Sequence, residues 1–420
     1  MNIQNIKQQT EEQIYEQHKQ VDKIVEENQA KVLRAFHKLR VSDSHFNPTT
    51  GYGYDDFGRD TLESLYAEIF NGEDALVRPQ LISGTHAITT ALFGVLRPGD
   101  ELLYISGDPY DTLEEVIGRP EGEDTGSLND FGIAYRSIPL TSDGDFSEQK
   151  IKDSIGEQTR VVAIQRSKGY ENRPSFRIDR IKSIIQLVRQ VKQDVIIFVD
   201  NCYGEFVETK EPLEIGADLI AGSLIKNPGG GIARIGGYIA GNKKLIEQCS
   251  YRLTAPGLGK ETGASLNSLQ EMYQGIFLAP HVVGEALKGA IFTSKFLSDL
   301  GFNTNPQFDE KRTDLIQSVN FETPEQMIRF CQAIQQASPV NSHVLPQPSP
   351  MPGYEDEVIM AAGTFIQGAS LELTADGPIR PPYTAYVQGG LTYAHVKIAV
   401  TQAVEQLMEA GVFRAEETLN

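Results

Sequence analysis

Cysteine is scarce in this sequence: Cys202, Cys249 and Cys331 are the only three in 420 residues, and they form neither a CxxC pair nor a cluster with histidine at metal-ligand spacing. No disulfide framework and no zinc or other metal site is expected from them. Positive charge is in deficit too, with 38 Lys and Arg against 57 Asp and Glu, a formal net charge of −19. Long-range repulsion of that sign opposes encounter with nucleic acid and with anionic membrane surfaces, so neither is an expected partner. The opening MNIQNIKQQTEEQIYEQHKQ has no basic start, apolar core or small-residue cleavage site, and no apolar run approaches the length of a membrane span. A cytoplasmic address is expected. What is present, 40% apolar residues with 38 Gly and 21 Pro, describes an ordinary globular chain whose length predicts more than one domain.

From Ile3 to Leu39 apolar residues recur at three- and four-residue steps between charges, which predicts an amphipathic helical arm packed on its own domain or on a partner subunit. A loop rich in Gly, Tyr and Asp follows at 51–59, then a helix at 60–70. From there short apolar runs alternate with helical stretches. Strands are predicted at 75–77, 101–105, 133–138, 161–165, 195–199, 218–221 and 237–240, and helices at 85–96, 146–155 and 178–191. Such alternation predicts an α/β fold: a mostly parallel central sheet with helices on both faces and its sites at the C-terminal strand ends. Beyond about Asn267 come a long helical stretch, a Pro-rich tract at 346–352 and a final helix at 393–410. The expected organisation is an N-terminal arm and loop over 1–60, a large domain over 61–270, and a smaller α+β domain with its linking helix over 271–420.

Several local features fall at strand ends. Ser83, Gly84 and Thr85 open the helix at 85–96, where free backbone N–H groups and the helix dipole suit an anion such as phosphate; an ordinary N-cap is the plainer use of the same residues. The β-branched run Val195–Val199 ends in Asp200, an acid suited to pairing with a protonated ring nitrogen, to binding Mg²⁺ or to capping a loop. Lys226 follows an apolar strand and precedes Gly229, Gly230 and Gly231, which let backbone approach a bulky ligand. Desolvation there is expected to lower its amine pKa and favour attack on a carbonyl, with Ser223 within reach of the same phosphate. The Walker pattern GxxxxGK[ST] is absent, which counts against a nucleotide loop. Tyr110, after Asp108-Pro109, offers a ring able to stack on a planar cofactor, or serves simply as a turn residue. An anion loop, an aromatic, an acid and a lysine together meet the needs of one cofactor.

These residues resemble those of fold-type I pyridoxal-phosphate enzymes, and within them the cysteine/methionine-metabolism group of cystathionine lyases and methionine γ-lyases. Gly51-Tyr-Gly-Tyr54, Asp60-Thr-Leu-Glu63, Gly72-Glu-Asp-Ala-Leu-Val77 and Ser83-Gly-Thr-His-Ala87 follow that group's opening pattern. Ser223 to Gly231, Met351 to Glu357, Ala361 to Ser370 and Ala375 to Pro378 are similar to the bacterial aluminium-resistance proteins, a family of cystathionine β-lyase or methionine γ-lyase-like sequences. The resemblance implies an aspartate-aminotransferase-like fold with pyridoxal 5'-phosphate bound to Lys226 as a Schiff base. It implies that Lys226 moves the Cα proton, that Asp200 pairs with the pyridinium nitrogen, and that Tyr110 stacks on the ring. Ser83, Gly84, Thr85 and Ser223 would hold the phosphate, and Asn172 would reach the ring's phenolic oxygen. Tyr54 matches a tyrosine that reaches the neighbouring subunit's site, which implies a homodimer as the minimal unit and a homotetramer for the family. Arg380 is the candidate for the substrate α-carboxylate. Asp56 stands where the group has an arginine, and Arg59 is its nearest replacement.

The activity so implied is carbon–sulfur lysis of a sulfur amino acid by aldimine formation, Cα deprotonation and elimination. An aminotransferase or racemase, or a pyridoxal-phosphate-binding protein without turnover, would use the same fold.

Overall fold

The computed structural model of the chain describes residues 3–118, 125–171, 173–351 and 354–413. The N-terminal arm is two helices, α1 (Ile3–Gln13) and α2 (Tyr15–Lys38), and the single helical arm expected over this stretch breaks at Ile14, whose ψ of 2° leaves helical geometry. Ile6, Ile14, Val21 and Val32 are buried, and Asn28 of α2 donates to the carbonyls of Phe206 and Glu208. The arm is thereby fixed to its own chain.

After α3 (Phe57–Phe70) the chain builds a seven-stranded sheet: β1 (Asp74–Arg78), α4 (Gly84–Val95), β2 (Glu101–Tyr104), α5 (Asp111–Ile117), β3 (Ala134–Ser137), α6 (Glu148–Ser154), β4 (Thr159–Gln165), α7 (Ile178–Val191), β5 (Ile196–Asp200), β6 (Leu219–Ser223) and β7 (Gly237–Gly241). The strand order is β1-β7-β6-β5-β4-β2-β3, and β7 alone runs against the others. Every residue of β5, β6 and β7 is buried, because helices cover both faces and strands so enclosed must be apolar throughout. Phe198, Leu219 and Ile239 face one core with α4 and α8 (Lys243–Leu253); Val199, Ile220 and Tyr238 face the other.

Helix α9 (Leu269–Asp299, 31 residues) joins this unit to a second one. Contrary to the sequence expectation, α9 is long and apolar enough to cross a membrane by length and composition. Within the protein 72% of that apolar window is buried, which accounts for its composition as a core helix. The second unit is a five-stranded antiparallel sheet built from β8 (Asn303–Asn305), β9 (Gln317–Asn320), α10 (Pro324–Gln336), β10 (Val358–Ala361), β11 (Thr374–Pro378), β12 (Thr384–Gln388) and α11 (Tyr393–Glu409), in the order β10-β11-β12-β9-β8. Its residues Val319, Ile359, Ala375, Ala385 and Val387 share a core with Phe330, Cys331 and Val400 of the helices.

Backbone meets backbone where α9 crosses the turn after Lys226. A Cβ on Gly275 would lie 2.4 Å from the Gly229 carbonyl oxygen, and one on Gly230, at φ +57°, would lie 2.2 Å from the Gly275 carbonyl oxygen. Neither neighbour is a side chain that can turn aside. Gly275→Ala is expected to cost about 1–3 kcal/mol of stability by overpacking, read as a lower urea midpoint. An unchanged midpoint would show that the contact has slack.

Candidate active site

A cavity of about 210 Å³ opens at the C-terminal ends of the parallel strands. Ser83, Gly84, Thr85, Tyr110, Asp200, Ser223 and Lys226 all line it, so the structure brings together seven of the residues singled out from the sequence. Their strands are not neighbours throughout: antiparallel β7 separates β1, which leads to Ser83, from β6, which leads to Lys226. The gap closes because Gly237 begins β7 without a side chain; a Cβ there would already stand 3.0 Å from Ala87 Cβ and 3.2 Å from the Ser83 carbonyl oxygen.

Asp200 ends β5, buried, and its Oδ1 accepts from the Cys202 N–H at 3.0 Å. Burial raises its carboxyl above the ordinary value, with the Lys226 charge working in the opposite direction. Lys226 follows β6 with its Nζ 4.1 Å from the centroid of the Tyr203 ring. Burial is the largest single influence on this amine and disfavours its charge, but Cys202, Tyr203, Asp200 and Tyr110 together drive it above its ordinary value. That corrects the expectation of a lowered pKa: desolvation is present, and the acidic groups around the amine outweigh it.

The anion cradle is the N-terminus of the 12-residue helix α4. Ser83 Oγ is occupied as N-cap, accepting from the His86 N–H at 3.0 Å, while first-turn N–H groups of a helix lack intrahelical partners. Ser223 Oγ is buried and unpartnered, and a Cβ on Gly84 would lie 3.1 Å from Ser223 Cβ and 3.3 Å from Cys202 Sγ, so cradle and strand end nearly touch. An unsatisfied hydroxyl beside a helix N-terminus fits a phosphate. Tyr110 is held from both ends: its N–H donates to Gln165 Oε1 at 2.8 Å, and its hydroxyl lies 2.9 Å from that of Tyr354. Burial keeps it a phenol. An acid, an amine and an anion cradle around one cavity can together hold a ligand that carries a basic ring nitrogen, a carbonyl and a phosphate.

Other sequence candidates are placed elsewhere. Tyr54 is exposed, stacks on Tyr52 at a centroid distance of 5.4 Å, and does not line the cavity of its own chain. Arg59 is buried with its guanidinium engaged by the Gly53 and Gly263 carbonyls and by Asp60, so within this chain it does not stand in for a phosphate-binding arginine. Arg380 pairs with Asp356 at 3.1 Å and lines an adjoining cleft of about 350 Å³, which shares Tyr170 with the cavity. Asn172 lies outside the described residues. Among the described residues no group of three or more His, Cys, Asp and Glu is placed to hold a metal ion.

Several lining residues escaped the sequence reading, among them Gln165, Tyr170, Cys202, Tyr203 and Gln388. Gln165 carried a signal, a polar residue ending a buried strand in register with Asp200. Tyr203 sits at φ +70°, a backbone state that its residue type does not announce.

The methionine gamma-lyase family profile matches residues 3–408. An uncharacterized protein of Bacillus subtilis, YnbB, is 65% identical over 392 residues, covering 93% of each chain. A solved structure from Listeria monocytogenes, provisionally described as a cystathionine beta-lyase involved in aluminium resistance, shares 62% identity and superposes with a TM-score of 0.94 over 96% of this chain and 99% of that one. A Clostridium novyi structure described as a carbon-sulfur lyase involved in aluminium resistance shares 50% identity, with a TM-score of 0.93 over 96% of both chains. At far lower identity the same fold recurs in pyridoxal-phosphate-dependent proteins.

Because the Ser223 hydroxyl has no partner, Ser223→Ala is expected to leave the stability of the ligand-free protein unchanged or up to about 1 kcal/mol higher in urea unfolding, unlike the loss usual for a hydrogen-bonded buried serine. A clear loss of stability would mean that the hydroxyl is satisfied within the chain.

Proposed function

The chain belongs to the methionine gamma-lyase family, and on that premise we propose that it is a pyridoxal-phosphate-dependent carbon–sulfur lyase acting on a sulfur amino acid. The observation that carries this reading is the convergence of Asp200, Lys226, Ser223 and the N-terminus of α4 on one cavity. When bound, pyridoxal phosphate supplies the electron sink that lets the substrate's Cα give up a proton. Lys226 would hold the cofactor, and its Nζ would take the substrate's Cα proton. Asp200 would pair with the cofactor's ring nitrogen and favour its protonated form; a cation there would also offset the burial that raises the carboxyl. Gly84 and Thr85 offer N–H groups, and Ser83 and Ser223 their hydroxyls, to the phosphate. Tyr110 supplies an aromatic face, and as a phenol joined to Tyr354 it is a proton donor available to a departing sulfur.

Arg380, at the mouth of the adjoining cleft, is suited to the substrate's α-carboxylate. Tyr54, exposed on a stacked aromatic pair, is suited to a second copy of the chain, as a homodimer or a homotetramer would require. Asn172 retains its assignment to the cofactor's phenolic oxygen. The cytoplasm suits the three free, buried cysteines. Cystathionine and methionine are the substrates that the relatives' names suggest.

Borohydride treatment of the yellow holoprotein is expected to bleach it and fix the cofactor on Lys226, found by peptide mapping, and Lys226→Ala should fold yet retain nothing covalently. The reconstituted enzyme should release an α-keto acid and ammonia from cystathionine, cysteine or methionine, with a thiol from cystathionine or methionine and hydrogen sulfide from cysteine. A requirement for a keto-acid acceptor would instead indicate an aminotransferase, loss of optical purity a racemase, and no product from any of them would end the lyase reading. Arg380→Ala should raise KM about tenfold with kcat changed far less, the signature of lost ground-state binding.

A further inference from the structure

The unit built on the large sheet and the unit built on the small one meet beside the cavity through a pair of phenols. Tyr110 lines the cavity, and its Oη lies 2.9 Å from that of Tyr354, in the segment leading into β10. Sheet register fixes that segment. Val358 pairs with Pro378, the Ile379 N–H donates to the Glu357 carbonyl at 2.8 Å, and Asp356 pairs with Arg380 at 3.1 Å. Tyr354 also rests against Tyr170, with ring centroids 5.7 Å apart, and the Tyr386 hydroxyl donates to the Tyr170 carbonyl at 2.7 Å. The Tyr354 hydroxyl is thus presented to Tyr110 by a wall whose parts are each held in place.

Two hydroxyls joined by one hydrogen bond use one of their two protons and keep the other for a third group. Burial holds both phenols neutral, and both feel Asp111 and Asp376. Of the two, Tyr110 is the one on which the Lys226 charge acts, and that charge favours its ionised form. Tyr110 is therefore the phenol placed, by position and by charge, to give a proton to the cavity. Once it has done so, only Tyr354 has a proton left to share, and it lies on the Tyr110 oxygen. A bond to a phenolate is roughly twice as strong as the neutral bond it replaces, so the contact tightens as the proton leaves.

We infer that Tyr354 is a positioning residue, which aims the Tyr110 hydroxyl and steadies the phenolate left when Tyr110 gives its proton to the departing sulfur. This rests on the lyase reading of the same cavity. As the C–S bond breaks, its electron pair goes to sulfur, the Tyr110 proton passes to that sulfur, and the thiol leaves. The Lys226 amine, carrying the proton taken from Cα, returns one to the Tyr110 oxygen.

S-ethyl-L-cysteine and β-chloro-L-alanine are the probes. Elimination from either gives pyruvate and ammonia, but ethanethiolate needs a proton to leave readily and chloride does not. Tyr354→Phe keeps the ring and removes only the hydroxyl. It is expected to lower kcat for S-ethyl-L-cysteine about tenfold or more, and that for β-chloro-L-alanine by less than about threefold. A second reading needs no turnover: fluorine NMR of the holoprotein with 3,5-difluorotyrosine at position 110 alone. That phenol should titrate about one pH unit higher in Tyr354→Phe, because the bond that favours its ionised form is gone. Equal losses on the two probes, or a titration that does not move, would overturn the role. A shifted titration in an enzyme that eliminates chloride but never cleaves S-ethyl-L-cysteine would keep the link between the two phenols and end the lyase reading. Cleavage of both probes with an unmoved titration would do the reverse. Should Tyr354→Phe not fold, 3,5-difluorotyrosine at position 354, a stronger donor of nearly the same shape, should change the ratio of thioether to chloride rates; an unchanged ratio would overturn the role.

Discussion

A sheet covered by helices on both faces leaves a charged side chain only one place to emerge, and the organisation of this protein follows from that restriction. β5 and β6 are buried along their whole length, so Asp200 appears at the last residue of one and Lys226 just beyond the other. Both are buried in a medium of low polarity, where the Lys226 charge lowers the Asp200 carboxyl against the effect of burial and Asp200 is one of the groups that raise the Lys226 amine. The single reversed strand, β7, lets the α4 cradle join them, because Gly237 enters at the crowded edge without a side chain.

Buried polar groups elsewhere hold this arrangement in register. Arg166, fully buried just after β4, donates to Asn201 Oδ1 at 2.9 Å and to Thr313 Oγ1 at 3.1 Å, and pairs with Glu208 and Glu211. One guanidinium thus ties the loop after Asp200 to the segment leading into β9. Glu63 and Arg78, each 1% exposed, join α3 to β1, and Lys260 adds a second cation to the same carboxylate at 3.2 Å. Removing one member of such a buried pair leaves the other uncompensated, at a cost of about 3–5 kcal/mol. On the polar face of β11 and β12, Asp376 Oδ2 accepts from Gln388 Nε2 at 3.2 Å.

The large sheet was legible because its strands are continuous β-branched and apolar runs: Val195–Val199 and Asp218–Ala221 stand out, and the acid and lysine that end them are conspicuous. The small sheet was not. Thr374-Ala-Asp-Gly-Pro378 contains the residues that usually mark a turn, and its burial is a product of tertiary packing on α10 and α11. That is why Gln388, which lines the cavity from the end of β12, escapes a reading of the sequence. The Lys226 amine differs from expectation for a related reason: burial can be guessed from an apolar strand, but the acids around it belong to two other segments of the chain, 200–203 and the loop at Tyr110. The arm's break at Ile14 was hidden because apolar spacing continues smoothly across it. Tyr54 and Arg380 were read from resemblance to a family, and neither lines this chain's own cavity.

Cys202, two residues after the acid, has its thiol pushed well above the ordinary value by burial and by the neighbouring Asp200 charge. Exchange with disulfides and oxidation to sulfenic acid both proceed through the thiolate, the form that this setting suppresses. A pocket proposed to liberate thiols therefore carries a sulfur of its own that is chemically quiet. Attack of this residue on a disulfide or an oxidant is thereby disfavoured by its burial and by the Asp200 charge, without any need to exclude cysteine from the position.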